Sequence, residues 1–161
     1  MNKSFITLMA LCSLSASVVA KTNISIATQT MQLVLQVKDN GRLYQTYLGE
    51  RLSTATPLDH LAMPYITPTS SNVAGYEVYP VMGTEDYYEP AFEICHADGN
   101  PTSVFQYVTH EQHAAENGTI ETIIRLKDTV YPVHLTLHYV AYPKENIIRQ
   151  WSEISHQEKK P

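Results

Sequence analysis

The amino-acid sequence predicts an all-β protein, an antiparallel β-sandwich. Three observations predict this class. Short runs of alternating apolar and polar residues recur along the chain, turn residues such as Asn-Gly separate them, and no clear helical period follows the first 20 residues. Strands that follow one another through turns, without helices between them, favour antiparallel pairing in two packed sheets.

The first 20 residues are expected to be a signal peptide rather than part of the fold. Lys3 supplies a short positive region, residues 5–14 are apolar, and small residues lead to a cleavage site near Ala20. The apolar run is shorter than a membrane-spanning helix requires. We therefore expect export to the periplasm or the outside of the cell, with residues 21–161 as the mature domain.

The charge of the chain limits its partners. The sequence has 11 basic and 16 acidic residues, and residues 1–20 contain one lysine and no acid, so the net charge falls from −5 to −6 on cleavage. An acidic chain without basic clusters is not typical of nucleic-acid-binding or membrane-surface proteins, and it fits a neutral substrate. Cleavage also leaves Cys95 as the single cysteine, and its apolar neighbours predict a small buried side chain.

The predicted strands begin after the signal. Residues 31–38 alternate with one apolar face, Asn40-Gly41 forms a hairpin turn because both residues tolerate positive φ, and residues 43–48 return as the partner strand. Residues 51–75 are rich in Ser, Thr and Pro without a period, which indicates a functional or mobile loop. The further predicted strands are residues 91–96, 103–113, 121–127, 133–139 and 147–155, with turns at 98–101, 117–118, 128–129 and 143–146.

The stretch of residues 79–92 is predicted to be a stiff loop. Gly83 permits a sharp turn, and Pro80 and Pro90 restrict the chain at both ends. The central side chains are carboxylates and aromatic rings, namely Glu85, Asp86, Tyr87 and Tyr88. Tyrosine rings can stack on the C–H faces of a sugar while a carboxylate accepts hydroxyl hydrogen bonds, and a stiff loop lowers the entropy cost of binding. The alternative is an ordinary connector whose tyrosines pack back on the sheet.

The sequence contains neither a recognisable metal site nor a complete catalytic set. His110 and His113 point to opposite faces of a strand, and His134 and His138 share a face but lie about 13 Å apart, too far for one metal ion. Cross-strand partners or solvent are the better account of the second pair. Nothing fixes two carboxylates across a cleft, as glycoside hydrolysis would require, and the sequence implies neither a metal nor an organic cofactor.

Three segments resemble the N-terminal β-sandwich of the family 36 α-galactosidases, the melibiases. They are residues 33–49, 79–92 and 145–154. The first is similar to an early hairpin that ends in an aromatic residue and a glycine, and the third to a late strand. The second is similar to a pattern of Tyr-Pro, Gly, Asp, aromatic, Arg and Pro-Ala. Leu48 stands where the family commonly has Trp, and Tyr88 where it commonly has Arg.

The resemblance implies a fold, a partner and a reaction. The fold is a sandwich of the supersandwich type, here truncated at its C-terminal end. The partner is a following (β/α)₈ barrel, absent from residues 21–161, which carries two catalytic aspartates and hydrolyses terminal α-linked galactose with retention. The sandwich of this family packs on the barrel, often completes its substrate pocket and helps to build oligomers. Because the catalytic aspartates belong to the barrel, the resemblance implies that this chain is inactive alone.

Carried over to this sequence, the resemblance makes Asp86 a candidate polar contact to an α-galactoside, with Tyr87 and Tyr88 as flanking ring surfaces. The alternative for Asp86 is that it caps the turn by accepting backbone hydrogen bonds. For the whole chain, a free-standing carbohydrate-binding module and a non-functional gene fragment remain open beside the role as a domain of an exported α-galactosidase.

Overall fold

The computed structural model describes residues 21–61, 77–83 and 89–159. Among them, seven strands form two antiparallel sheets, and the predicted all-β sandwich is confirmed. The three-stranded sheet has the order β1-β2-β3, formed by Asn23–Ala27, Met31–Val37 and Leu43–Glu50. The four-stranded sheet has the order β4-β5-β6-β7, formed by Phe105–Ala114, Ile120–Asp128, Val133–Tyr142 and Ile147–His156.

The hydrophobic core lies between the two sheets. In the first sheet, Ile24 pairs with Leu35 and Ile26 with Leu33, so that four apolar side chains share one face. Strand β6 supplies every second residue to the opposite side of the core, as the sequence predicts; its buried residues are Val133, Leu135, Leu137, Tyr139 and Ala141. Each large aliphatic side chain buried in this way contributes about 1.5–3 kcal/mol to folding.

Strand β2 is buried on both faces, whereas the sequence predicts one buried face. The segment that follows β3 covers its polar face. The amide Nε2 of Gln36 donates to the carbonyl of Leu58 at 2.6 Å, and the backbone N–H of Leu52 donates to Oε1 of Gln32 at 2.9 Å. Two glutamines therefore occupy the interior because the loop satisfies their hydrogen bonds.

The predicted strand at residues 91–96 is wrong. This segment is irregular, and its backbone makes isolated hydrogen bonds, from Ala91 N–H to Pro80 at 2.8 Å and from His96 N–H to Asn100 at 2.9 Å. Phe92 and Ile94 do pack against the core, which explains the alternating pattern without a strand. The predicted burial of Cys95 is also wrong. Cys95 lies in this irregular segment, and its side chain is exposed.

The turns and the remaining strands agree with the sequence. Gly41 and Gly118 have φ of 76° and 81°, as the two Asn-Gly turns require. The strands predicted from residues 31, 43, 103, 121, 133 and 147 all occur, with ends that differ by up to three residues. Strand β1 was not predicted. Within the described residues, helical structure amounts to one 3₁₀ turn, Leu58–His60, and no helix there is long and apolar enough to span a membrane.

Candidate functional site

The predicted site residues Asp86, Tyr87 and Tyr88 lie outside the described residues, in the segment 84–88. The structure describes the chain on both sides of this segment, residues 77–83 and 89–104, here called the loop base. The geometry of the loop base determines where the two ends of the segment are held.

The loop base begins on the edge of the three-stranded sheet. The Val78 N–H donates to the Leu43 carbonyl at 3.0 Å, and Glu77 forms an isolated β-bridge with Tyr44. The guanidinium of Arg42 donates to both carboxylate oxygens of Glu77, from Nε at 2.9 Å and from a terminal nitrogen. These side chains are only 14% and 5% exposed, so a bidentate and largely buried ion pair fixes the start of the loop base.

Aromatic side chains pack the loop base against the core. The ring of Tyr79 lies 5.6 Å from that of Phe92, which lies 5.9 Å from that of Phe105 at the start of β4, both pairs tilted by nearly 50°. Tilted rings at this separation attract one another through edge-to-face contact. The hydroxyl groups of Tyr79 and Ser152 lie 3.0 Å apart, within hydrogen-bond distance. Tyr79 therefore packs back on the sheets rather than projecting into solvent.

Backbone hydrogen bonds join the two halves of the loop base. The Pro80 carbonyl accepts from the Ala91 N–H at 2.8 Å, and the Met82 carbonyl accepts from the Ser103 N–H at 2.9 Å. Gly83 has φ of 104°, which confirms the sharp turn predicted there. The residues on either side of 84–88 thus lie next to each other and are tied to β4 through residues 102–104.

A buried histidine organises the far side of the loop base. The His96 side chain is fully buried, with Nδ1 2.7 Å from Oε1 of Glu158 and Nε2 3.0 Å from the Ser103 hydroxyl. Its ring stacks on Tyr131 at a centroid separation of 3.4 Å. The second oxygen of Glu158 accepts from the Ala97 N–H at 2.7 Å. These contacts attach the residues after β7 to the loop base.

Two carboxyl groups in this network have lowered pKa values. The backbone N–H of Ala97, followed by the His96 side chain, stabilises the charged form of Glu158 and lowers its pKa. The backbone N–H of Asn100 and the hydroxyl of Tyr131 lower the pKa of Asp98 in the same way. Both carboxylates are therefore acceptors that hold turns in place.

The order Ser103, His96, Glu158 has the atomic contacts of an acyl-transfer triad, but it cannot act as one. Ser103 is 3% exposed, so its hydroxyl is out of reach of a substrate. The His96 ring is also held by the Thr102 carbonyl, which lies 3.1 Å from Nε2 of His96. The network is a structural support for the loop base, and it brings together residues up to 62 positions apart that no local sequence pattern relates.

The histidines singled out in the sequence lie elsewhere. His138 has the cross-strand partners predicted for it: its ring stacks on Trp151 of β7 at 4.6 Å and 6°, and Nδ1 lies 3.2 Å from Glu121 of β5. His110 contacts the hydroxyl of Tyr107 at 2.7 Å. Across the described ranges, no group of three or more His, Cys, Asp or Glu side chains is arranged to hold a metal ion.

A second concave site lies between the two sheets, at the end of β1. It is a cavity of about 180 Å³ lined by both apolar and polar residues, among them Ile26, Arg51, Gln112, Ile120 and Thr122. The Arg51 guanidinium donates to the Thr28 carbonyl at 2.9 Å. No sequence pattern pointed to this cavity, because its residues come from five separate parts of the chain.

Comparison with known proteins gives the family and the fold. Residues 41–161 match the family described as "Glycosyl hydrolase family 36 N-terminal domain". The α-galactosidase AgaA of Geobacillus stearothermophilus is 28% identical over an alignment that covers 71% of this chain and 19% of that protein.

Solved structures agree with this match. The α-galactosidase of Lactobacillus brevis superposes with a TM-score of 0.70 at 18% identity, over 84% of this chain and 21% of that one. AgaA superposes with a TM-score of 0.71 at 20% identity, over 86% of this chain and 23% of that one. Variants of AgaA are solved in complex with raffinose and with stachyose.

The chain spans only about a fifth of the length of the relatives that it matches. The structural likenesses show the shared fold, and the sequence match extends over three quarters of the chain. The chain therefore belongs to the family of glycosyl hydrolase family 36 N-terminal domains.

Proposed function

We propose that this chain is the N-terminal β-sandwich of an exported α-galactosidase that hydrolyses terminal α-linked galactose. The observation that carries the proposal is the family match over residues 41–161, in a chain that covers about a fifth of α-galactosidase relatives. The sandwich supports a catalytic (β/α)₈ barrel supplied by the rest of such an enzyme. Residues 1–20, which lie outside the described residues, act as the signal peptide for export.

Within this role, the segment 84–88 lines the substrate pocket. The loop base supports this assignment because a buried ion pair, an aromatic row and two backbone hydrogen bonds hold both ends of the segment. Such a support lowers the entropy cost of presenting side chains to a sugar. Asp86 accepts hydrogen bonds from sugar hydroxyl groups, and Tyr87 and Tyr88 provide the flanking ring surfaces. The substrates bound to the AgaA variants, raffinose and stachyose, are the first galactosides to test.

The first experiment measures cleavage of a chromogenic α-galactoside by this chain alone and by the chain extended with the coding region downstream of residue 161. We expect turnover only from the longer protein, because glycoside hydrolysis needs two carboxyl groups across a cleft. Turnover by residues 21–161 alone would contradict the proposal. Galactoside binding by the isolated chain that Tyr87→Ala abolishes would favour the carbohydrate-binding module instead.

The second experiment tests the segment in the longer, active enzyme. Removing a hydrogen-bonding carboxylate with Asp86→Ala should raise KM for raffinose by at least about tenfold. Glu89→Ala, an exposed carboxylate just after the segment, is the matched control and should leave KM unchanged. An unchanged KM in Asp86→Ala would show that this side chain caps a turn and does not contact the sugar.

A further inference from the structure

Two hairpin turns of this chain contain the dipeptide Asn-Gly directly after an acidic residue. They lie at residues 39–41, between β2 and β3, and at residues 116–118, between β4 and β5. An asparagine that precedes glycine can react with its own backbone, because glycine has no side chain to shield its amide nitrogen. That nitrogen attacks the side-chain amide carbon and closes a succinimide ring. Since the local sequences are so similar, any difference in reactivity between the two turns comes from the folded structure.

The two turns share the main structural cost of ring closure. The reaction removes the hydrogen from the glycine nitrogen, and that N–H donates a hydrogen bond in both turns. Gly118 donates to the Ala115 carbonyl at 2.9 Å, and Gly41 donates to the Lys38 carbonyl at 2.8 Å. Both glycines also have positive φ, of 81° and 76°. The contacts of the two asparagine side chains, which differ, therefore decide which turn reacts faster.

The contacts of the Asn117 side chain favour the reaction. Its Oδ1 accepts two hydrogen bonds, from the Thr119 hydroxyl at 2.7 Å and from the Thr119 N–H at 3.1 Å. Attack at the amide carbon places negative charge on Oδ1, so these two donors stabilise the tetrahedral intermediate as an oxyanion hole does. The leaving nitrogen, Nδ2, has no hydrogen-bond partner among the described residues. Asn117 thus combines a polarised carbonyl with an unrestrained leaving group.

The contacts of the Asn40 side chain oppose the reaction. Its Oδ1 accepts from the Arg42 N–H at 3.0 Å, but its Nδ2 donates to the Tyr44 hydroxyl at 2.9 Å, which holds the leaving nitrogen in place. The Gln106 side chain lies against Gly41, and its Nε2 donates to the Asn40 carbonyl at 3.1 Å. This carbonyl belongs to the same peptide unit as the reacting nitrogen. The peptide must therefore break a tertiary contact before it can rotate to close the ring.

We propose that Asn117 is a site of intramolecular deamidation, at which the folded chain converts asparagine to aspartate and isoaspartate. The Gly118 nitrogen forms a bond to Cγ of Asn117, its proton passes through water to Nδ2, and the Cγ–Nδ2 bond breaks to release ammonia. Water then adds to either carbonyl of the ring, breaks its bond to the Gly118 nitrogen and returns a proton to that nitrogen. The product gains a carboxylate, and isoaspartate lengthens the backbone of the hairpin. The inference does not depend on the proposed function.

The test incubates the folded chain at mildly alkaline pH and follows both turns by mass spectrometry, after digestion at acidic pH to stop the reaction. We expect conversion at Asn117 to be at least about fivefold faster than at Asn40, since the hydrogen bond from Asn40 to Tyr44 must break first. The same chain unfolded in urea is the control. There the two sites should react at similar rates, because only the local sequence remains.

Two conservative substitutions test the contacts separately. Thr119→Val removes the hydroxyl that donates to Oδ1 and should slow conversion at Asn117 by about fivefold. Tyr44→Phe releases Nδ2 of Asn40 and should speed conversion there by a similar factor. In each variant the unaffected turn is the internal reference, because loss of the fold would change both rates. Circular dichroism verifies that each variant is folded.

Three results would overturn the inference. The first is a ratio of conversion at Asn117 to conversion at Asn40 that is no larger in the folded chain than in urea. The second is a rate at Asn117 that Thr119→Val leaves unchanged or raises, which would show that Thr119 holds the side chain away from the backbone nitrogen. The third is a rate at Asn40 that Tyr44→Phe leaves unchanged.

Discussion

Gly83 lies directly against Thr102 at the centre of the loop base. A Cβ atom on Gly83 would come within 2.7 Å of the Thr102 Cβ, closer than real side chains approach. Gly83 also has φ of 104°, which L side chains rarely adopt. The turn that begins the segment 84–88 therefore depends on glycine for two separate reasons.

Gly83→Ala should destabilise the domain more than Gly99→Ala. Gly99 has a similar positive φ of 86° but nothing within 4 Å of its added Cβ, so its substitution should cost only the backbone strain, about 1–2 kcal/mol. Gly83→Ala adds the contact with Thr102 and should cost about 1–3 kcal/mol more. Urea unfolding midpoints measure both. Equal losses of stability would mean that residue 102 moves away freely.

Glu77→Ala should lower the free energy of unfolding by about 3 kcal/mol, because it removes the carboxylate that accepts two N–H groups from a largely buried Arg42. The matched control is Glu111→Ala, whose partner Arg125 is well exposed, with a loss of at most about 1 kcal/mol. Chemical denaturation compares the two. Similar losses would show that the ion pair contributes little to fixing the loop base.

Leu137→Ala should destabilise the protein by about 2–5 kcal/mol, since Leu137 is fully buried between the sheets and its removal leaves a cavity. Leu48→Ala is the comparison, because Leu48 is 56% exposed and its loss should change stability by no more than about 0.5 kcal/mol. Thermal and urea unfolding report both values. A small effect at Leu137 would contradict the position of the core between the sheets.

The stability difference between the wild type and Glu158→Gln should decrease as the pH falls. The pKa of Glu158 is lowered in the folded protein from its ordinary value of 4.5, so the unfolded chain binds its proton first and folding is favoured above that value. This contribution is lost as the pH drops through the lowered pKa. Urea midpoints at a series of pH values test it. The pKa of Asp98 is also lowered, but Asp98 is present in both proteins, so its contribution cancels in the difference between them. A stability difference between the two proteins that stays constant down to low pH would contradict a lowered pKa of Glu158 in the folded state.

The sequence predicts the parts of this fold that depend on local chemistry. The alternation in β6 and the Asn-Gly turns at Gly41 and Gly118 appear as expected, because burial on one face and positive φ leave a direct trace in the residue pattern. Residues 91–96 show the same alternation of apolar and polar residues, yet they form no strand. Phe92 and Ile94 reach the core from an irregular backbone, so side-chain burial alone does not establish a ladder of hydrogen bonds.

Features that depend on distant residues left no local signal. Strand β1 alternates over only two apolar residues, Ile24 and Ile26, which is too short a pattern to predict a strand, and it is defined by its pairing with β2. The contact between His96 and Glu158 joins residues 62 positions apart. At the candidate site, the sequence identified Gly83 as a turn, whereas the ion pair of Glu77 required the folded structure to bring Arg42 beside it.

Trp151, which stacks on His138, provides a fluorescence probe of strand β7. The chain contains a single tryptophan, so its intrinsic fluorescence comes from one indole, on the outermost strand of the larger sheet. Detachment of that strand would move the indole into water and shift its emission to longer wavelength, even while the rest of the sandwich stayed folded. Fluorescence and circular dichroism would then follow different unfolding curves, and their separation would measure how independently the outer strand comes apart.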